Sequence, residues 1–401
     1  MTSRERVLRA INHEQPDRMP IDFGGMRSTG IMAVAYNKLK QHLGITSGRT
    51  RVFDTMQQLA EVELPILERF HIDVVYVENS FGRHEDWWKP WTLPDGSPAY
   101  VPKSFDPESD GDGGYVTRDA QGHVTMRAPR GCLYFEPVYR ELAHVASIAE
   151  IEEWELTPIS EEYLDTIHER AGWIYENTDY AILGGFGGNV LETGQLFLRG
   201  WDQFMMDMAA DPDFTHFLLD KVVEGHLRNL KRYLEALGDY IQIIQMGDDL
   251  GTQSAPQLSL GMYREFIKPR HRLIYQWVHD HYPNVHVFLH SCGSVYDLIP
   301  EFIEEGVEIL NPVQTSAAKM DPRRLKKEFG DRMTFWGGGC DTQTVLPNAS
   351  PEEIEEHVRE RVAILKPGGG YVLNQVHNVQ SNVPPENVTA MLDAAYGCAG
   401  Y

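Results

Sequence analysis

Short apolar runs alternate with longer amphipathic segments along the whole chain. The amphipathic segments, such as residues 212–237 and 350–365, place their apolar positions at the spacing of a helix with one buried face. The short runs are mostly apolar and are bounded by glycine or polar residues, which is typical of buried parallel strands. We predict eight such strands, at residues 18–23, 73–77, 180–186, 240–246, 285–290, 307–311, 333–337 and 370–374.

Strands that alternate with helices pair in parallel through βα units, which gives an α/β fold. The candidates are a closed (β/α)8 barrel and a doubly wound open sheet. Eight strands spread over the full length favour the barrel, so we predict one TIM-barrel domain over residues 1–401. Ser350 and Pro351 suit the start of a helix, whereas Pro269 must kink or split the helix predicted at 261–281.

Residues 81–146 interrupt the alternation after the second predicted strand. They contain hairpin-like strands with turns at Asp95-Gly96 and Gln121-Gly122. We therefore predict a β-hairpin-rich insertion, rich in tryptophan and tyrosine. It is either a lid over the barrel mouth or a surface excursion whose aromatic side chains pack on the barrel.

The net charge and the cysteine content limit the possible partners and the cellular compartment. A formal net charge of −23 argues against nucleic acid or an anionic membrane surface as a partner. Four cysteines in 401 residues are too few for a disulfide framework and fit a reducing cytoplasm. The charged N-terminus does not resemble a signal peptide, and no apolar run approaches the roughly 20 residues of a membrane span. The oligomeric state stays open, a homodimer included.

Three side chains with metal-binding chemistry are predicted at the barrel mouth. His290 and Cys292 in "HSCGS" point to the same side at the end of the fifth strand, and Cys340 follows the seventh strand after three glycines. The carboxyl ends of barrel strands carry the active site. One imidazole and two thiolates suit zinc with an open fourth position. The alternative is that these residues are ordinary buried ones.

Several stretches resemble the uroporphyrinogen decarboxylase superfamily almost end to end. They are "MTSRERVLRAINHEQPDRMPIDFGG", "GDDLGTQ", "FLHSCGSVYDLIPEFIEEGVEILNPVQ", "FWGGGCDTQTVLP" and "PGGGYVLNQVHNVQSNVPPENVTAM". Within it, H-x-C with a distant cysteine is similar to the zinc signature of the corrinoid-dependent methyltransferase branch. The resemblance implies a barrel with Zn²⁺ at its mouth, acting on a methyl acceptor thiol or a small methylated donor. It also implies a partner protein that carries the corrinoid (cobalamin), since the chain has no D-x-H-x-x-G motif.

Other polar residues follow the remaining strands. Asp248 and Asp249 are candidates for orienting the zinc-bound imidazole, for a fourth ligand or for a general base, although turn chemistry would also explain them. His377 follows the eighth strand and could shuttle a proton or donate to substrate. These three are the predicted catalytic residues. The predicted substrate-binding residues are Arg27, Glu78, Glu192, Gln314 and Asn374.

We therefore predict a zinc-dependent methyltransferase and keep two alternatives. A lyase resembling uroporphyrinogen decarboxylase would need several cations for its carboxylated substrate, and the first strand offers only Arg27. A non-catalytic barrel stabilised by metal is the other alternative. The tryptophans Trp87, Trp88 and Trp91 of the insertion favour an aromatic or quaternary-ammonium donor. The substrate, the direction of transfer and the fourth zinc ligand stay open.

Overall fold

The secondary structure comes from a computed structural model, which describes residues 1–132 and 134–401. The strands are β1 (Val52–Asp54), β2 (Leu59–Ala60), β3 (Val74–Tyr76), β4 (Trp88–Thr92), β5 (Pro98–Pro102), β6 (Glu108–Ser109), β7 (Tyr115–Arg118), β8 (Val124–Ala128), β9 (Glu136–Pro137), β10 (Ala181–Gly187), β11 (Ile243–Gly247), β12 (His286–His290), β13 (Ile309–Asn311), β14 (Thr334–Trp336) and β15 (Tyr371–Val372). The α-helices are α1 (Ser3–Ile11), α2 (Ala33–His42), α3 (Leu64–Arg69), α4 (Glu161–Asn177), α5 (Trp201–Ala210), α6 (Pro212–Leu237), α7 (Leu260–Met262), α8 (Lys268–His281), α9 (Ile299–Glu305), α10 (Pro322–Phe329), α11 (Val345–Asn348), α12 (Pro351–Leu365) and α13 (Pro385–Gly397). Two π-helical turns are Thr193–Leu198 and Tyr263–Ile267.

Seven parallel strands form one curled sheet in the order β3-β10-β11-β12-β13-β14-β15. The predicted first strand joins the two edges of this sheet. On one side the backbone N–H of Asp22 donates to the carbonyl of Leu373 at 2.8 Å, and on the other the N–H of Asp73 donates to the carbonyl of Ile21 at 2.8 Å. Pro20 has no N–H, which limits the ladder to isolated bridges. The prediction of a (β/α)8 barrel is confirmed.

The helices follow the predicted pattern. Helix α6 occupies the whole predicted segment, Pro212–Leu237. Helix α12 begins with a capping box, in which the Ser350 hydroxyl accepts from the N–H of Glu353 and the Glu353 carboxylate accepts from the N–H of Ser350. Pro269 splits the predicted helix 261–281 as expected, because a π turn ends just before α8 and the proline lies in the first turn of that helix.

The barrel interior is filled below the mouth. Side chains of the strands that point inward form one buried cluster, and those that point outward form the larger cluster under the helices. The ring of Trp336 lies edge-on to Phe288 at a centroid distance of 5.4 Å and donates its N–H to the Asp22 carboxylate at 2.8 Å. Space for a ligand is therefore left at the carboxyl ends of the strands.

The insertion folds into two antiparallel sheets. Strands β4 and β5 form a hairpin and β6–β9 form a four-stranded sheet. Gly96 and Gly122 lie in the predicted turns with φ of 84° and 86°, values that favour glycine. A short β1–β2 hairpin precedes the insertion and was not predicted. Among the described residues, no helix is both long enough and apolar enough to cross a membrane.

Candidate metal centre and substrate pocket

Three potential metal ligands meet at the barrel mouth. His290 ends β12, Cys292 lies two residues further, and His377 follows β15; one ligand atom from each lies within 4.8 Å of the others. The Cys292 Sγ is 3.4 Å from His290 Nε2, and the two imidazole rings are 5.8 Å apart between centroids. Two imidazole nitrogens and a sulfur form a donor set typical of zinc.

Asn311 orients the His290 ring. Its Nδ2 donates to the carbonyl of Trp336 at 2.8 Å, so its Oδ1 faces His290 Nδ1 at 2.6 Å. Because this oxygen can only accept, Nδ1 carries the hydrogen and the lone pair of Nε2 points into the cluster. From the sequence, Asp248 and Asp249 are candidates for this role, among others. The overlooked signal is that Asn311 ends the neighbouring strand, where the parallel register pairs it with His290.

The protonation states suit metal binding. Burial, helped by His290 nearby, lowers the pKa of His377 to about 4, which keeps its imidazole neutral. Burial, and then the Asp249 carboxylate, raise the pKa of the Cys292 thiol well above its usual value. A divalent cation would supply the positive charge that a thiolate needs here. The residues present therefore fit a zinc ion.

The structure does not place Cys340 in this group. Its side chain is fully buried in the outer apolar cluster that also contains Tyr371 and Leu346, and burial raises the pKa of its thiol to about 12. The three preceding glycines do turn the chain, with φ of 126° at Gly337 and 66° at Gly338. However, the turn leaves the thiol under the helices instead of bringing it inward. His377 lies where we expected Cys340.

Asp248 supports the site from behind. Its carboxylate is fully buried and accepts backbone N–H bonds from Val190, Leu191 and Glu192 at 2.8–3.0 Å. Its Oδ2 is also 3.0 Å from His271 Nε2. Through these contacts, three at Oδ2 and one at Oδ1, the carboxylate anchors the loop after β10. A catalytic role for Asp248 stays a prediction.

Asp249 faces the cluster. Its Oδ1 accepts from the backbone N–H of Cys292 at 2.7 Å and lies 3.8 Å from His290 Nε2. It therefore fixes the loop that carries Cys292 and stays close enough to act on a ligand of the metal.

A cavity of about 670 Å³ opens beside His290 and His377. Of the predicted substrate-binding residues, Arg27 and Glu192 line it, as does Asp249. Burial, and then the neighbouring Asp249 and Asp248, raise the pKa of Glu192 to about 8. Further lining comes from residues 53–57 of the β1–β2 hairpin and from residues 186–189.

Three predicted substrate-binding residues have supporting roles, and none of them lines the cavity among the described residues. The Glu78 carboxylate accepts from the Tyr163 hydroxyl at 2.7 Å. Gln314 accepts from the N–H of Gly293 at 2.8 Å and so holds the loop after β12. Asn374 accepts from the Asn311 side chain at 3.4 Å. Substrate binding by these three residues therefore stays a prediction.

The described part of the insertion 81–146 contributes no residue to the cavity wall. The role of a lid therefore stays a prediction. Trp87, Trp88 and Trp91 lie outside the cavity, so they do not support the preference for an aromatic or quaternary-ammonium donor. Trp91, for example, packs against Phe105 at a centroid distance of 5.6 Å.

Curated relatives of this chain share one name. Uroporphyrinogen decarboxylase of Alkalilimnicola ehrlichii is 23% identical over 400 residues, which cover 98% of this chain and 93% of that protein. The enzyme of the same name from Chromohalobacter salexigens is 26% identical over 279 residues, which cover 66% of this chain and 73% of that protein.

Among solved structures, a methyltransferase from Methanosarcina mazei matches with a TM-score of 0.60 at 19% identity and covers 99% of both chains. At that identity the likeness shows a shared fold. The family model described as uroporphyrinogen decarboxylase (URO-D) matches residues 134–397. Because this match spans most of the barrel strands and well over half of the sequence, the chain belongs to the uroporphyrinogen decarboxylase family.

Proposed function

We propose that this protein is a zinc-dependent methyltransferase. It moves a methyl group between a corrinoid carried by a partner protein and a small methylated donor or thiol acceptor. The observation that carries the proposal is the cluster at the mouth, where the oriented Nε2 of His290 meets Cys292 and His377 beside an open cavity. The H-x-C motif and the fold shared with a protein described as a methyltransferase support it.

The residues of the chain prepare the site for this reaction. A bound zinc ion would act as a Lewis acid that lowers the pKa of a thiol or polarises the heteroatom of a methyl donor. Asn311 keeps the hydrogen of His290 on Nδ1, which leaves Nε2 free as a ligand. Asp249 holds the backbone of Cys292 in place, and Cys292 gives up its thiol proton when it becomes a ligand.

Decarboxylation is the alternative that the curated relatives suggest, since they carry that name. A substrate with several carboxylates requires several cations to hold it. Among the described residues lining the cavity, Arg27 is the one arginine or lysine, and its Nε already donates to Asp54 at 2.6 Å. The geometry therefore supports methyl transfer better.

The test begins with metal analysis of the purified protein. We expect about one zinc per chain, with loss of zinc in His290→Ala, Cys292→Ala and His377→Ala while circular dichroism shows an intact fold. Cys340→Ser should keep its zinc, as should the control Cys398→Ser. Loss of zinc in Cys340→Ser but not in His377→Ala would instead restore the ligand set expected from the sequence.

Activity separates catalysis from a structural role for the metal. The zinc-loaded protein is incubated with cob(I)alamin and methylated donors, or with methylcobalamin and thiols, and the corrinoid absorbance spectrum is followed. We expect turnover that depends on zinc. If removing zinc unfolds the barrel and no donor or thiol reacts, the metal is structural and the proposed function is wrong.

A further inference from the structure

The cavity wall is acidic. Asp54, Glu192 and Asp249 line it, whereas Arg27 is the one arginine or lysine among the described residues that do. The ionised carboxylates give the cavity a negative potential, and Glu192 adds to it as the pH rises through its pKa of about 8. The charges of these side chains alone disfavour an anionic substrate.

Arg27 does not reverse this balance. Its Nε donates to Asp54 at 2.6 Å, its Nη1 donates to the Tyr76 hydroxyl at 3.0 Å, and its Nη2 lies 3.6 Å from Glu78. Although its side chain is 42% exposed, two carboxylates already offset its single charge. A sulfonate or carboxylate on the substrate would compete with both of them.

Glu192 and Asp249 are carboxyl groups without such a partner. Within residues 1–132 and 134–401, neither forms an ion pair with lysine or arginine within 4.0 Å, and the one charged contact of Asp249 is the 3.8 Å approach to His290. Glu192 accepts a hydrogen bond from the Asn189 amide and lies beside Asp249 and Asp248. Clustered carboxyl groups repel one another, and a cationic ligand would relieve that repulsion.

Aromatic rings complete the wall. Phe53, Phe186 and Phe197 line the same cavity, and Phe197 is 49% exposed. The face of an aromatic ring attracts a cation, and the attraction is strongest where water is excluded. Carboxylates and phenylalanine rings that line one cavity are groups suited to binding an ammonium group.

We propose that the small substrate of this site carries a positively charged ammonium group, held by Glu192, Asp249 and the three phenylalanines. The inference rests on the proposed function only in assigning this cavity to the small methylated donor or thiol acceptor. It concerns binding and involves no covalent step.

Calorimetric titration with choline and its neutral isostere 3,3-dimethylbutan-1-ol tests the charge preference without any methyl transfer. We expect choline to bind about tenfold more tightly. The titrations are run above pH 8, where Glu192 is ionised. There Glu192→Gln keeps the shape of the side chain, removes its charge and should reduce this preference about threefold or more. The control Glu224→Gln, an exposed position on α6, should leave it unchanged. Equal affinities, tighter binding of the alcohol, or no binding of choline would overturn the proposal.

A thiol pair separates this inference from the proposed function. 2-Aminoethanethiol and 2-mercaptoethanesulfonate share a thiol and a two-carbon spacer but carry opposite charges. With cobalt(II) in place of zinc, thiolate ligation is read from the absorbance of the metal, and the cationic thiol should bind more tightly. If the sulfonate binds more tightly while methyl transfer proceeds, the ammonium proposal fails and the function stands. If choline binds but the protein takes up no metal, the function fails and the ammonium site stands.

Discussion

Replacing Asp248 by asparagine tests whether this residue anchors the loop after β10. The substitution preserves the shape of the side chain but removes its charge and one acceptor oxygen. In the structure the two oxygens accept three backbone N–H groups, from Val190, Leu191 and Glu192, and face His271. Burial acts against a charge on His271, but its bonds to Asp248 and Glu305 prevail and raise its pKa to about 9, so the imidazole is charged at neutral pH.

The expected cost follows from these contacts. One backbone N–H would face the new amide nitrogen, which costs about 1–3 kcal/mol for an unsatisfied buried donor. Losing a partner of a buried charge costs up to about 3–5 kcal/mol, which the remaining partner Glu305 and release of the His271 proton reduce. We therefore expect a loss of about 3–5 kcal/mol in total. With an unfolding entropy of about 2.1 cal/mol/K per residue over 401 residues, this lowers the Tm by about 4–6 °C.

Differential scanning calorimetry measures this shift, with the exposed Asp213→Asn on α6 as a matched control that should change the Tm by less than about 1 °C. The double variant Asp248→Asn/His271→Gln should lose less than the sum of the two single variants, because the two side chains share one interaction. A Tm of Asp248→Asn within about 1 °C of the wild type would refute the anchoring role.

Three further outcomes are expected. Asn311→Ala should weaken zinc binding about 10–100-fold in competition with a chromophoric chelator, because His290 loses the acceptor that orients it, whereas Asn311→Asp should retain most of the affinity. Choline binding should strengthen as the pH rises through about 8, because the pKa of Glu192 is raised to that value and only its ionised carboxylate attracts a cation. A calorimetric affinity that does not change with pH would contradict this. The Glu192→Gln variant should show such a pH-independent affinity. Gly185→Ala should cost about 1–3 kcal/mol in urea unfolding, because the added Cβ would lie 2.1 Å from the Tyr76 hydroxyl; an unchanged midpoint would show that the ring can move freely.

The barrel could be predicted because each strand and helix is encoded locally. Continuous apolar runs and helical periodicity mark buried strands and surface helices without knowledge of their neighbours. Segment 18–23 is the exception: its apolar pattern predicts a regular strand, but Pro20 cannot donate, so the segment closes the barrel through isolated bridges. The β1–β2 hairpin was missed because strands of three and two residues are too short to show any periodicity.

The sequence by itself determined that His290 and Cys292 lie together at the end of one strand. Side chains two positions apart in an extended chain point to the same side. Which third side chain joins them was decided by the tertiary structure. A turn through Gly337 and Gly338 can direct the next residue to either side, and here Cys340 lies under the helices while His377 reaches the cluster. The orienting role of Asn311 and the anchoring role of Asp248 likewise depend on contacts between neighbouring βα units, which no local pattern specifies.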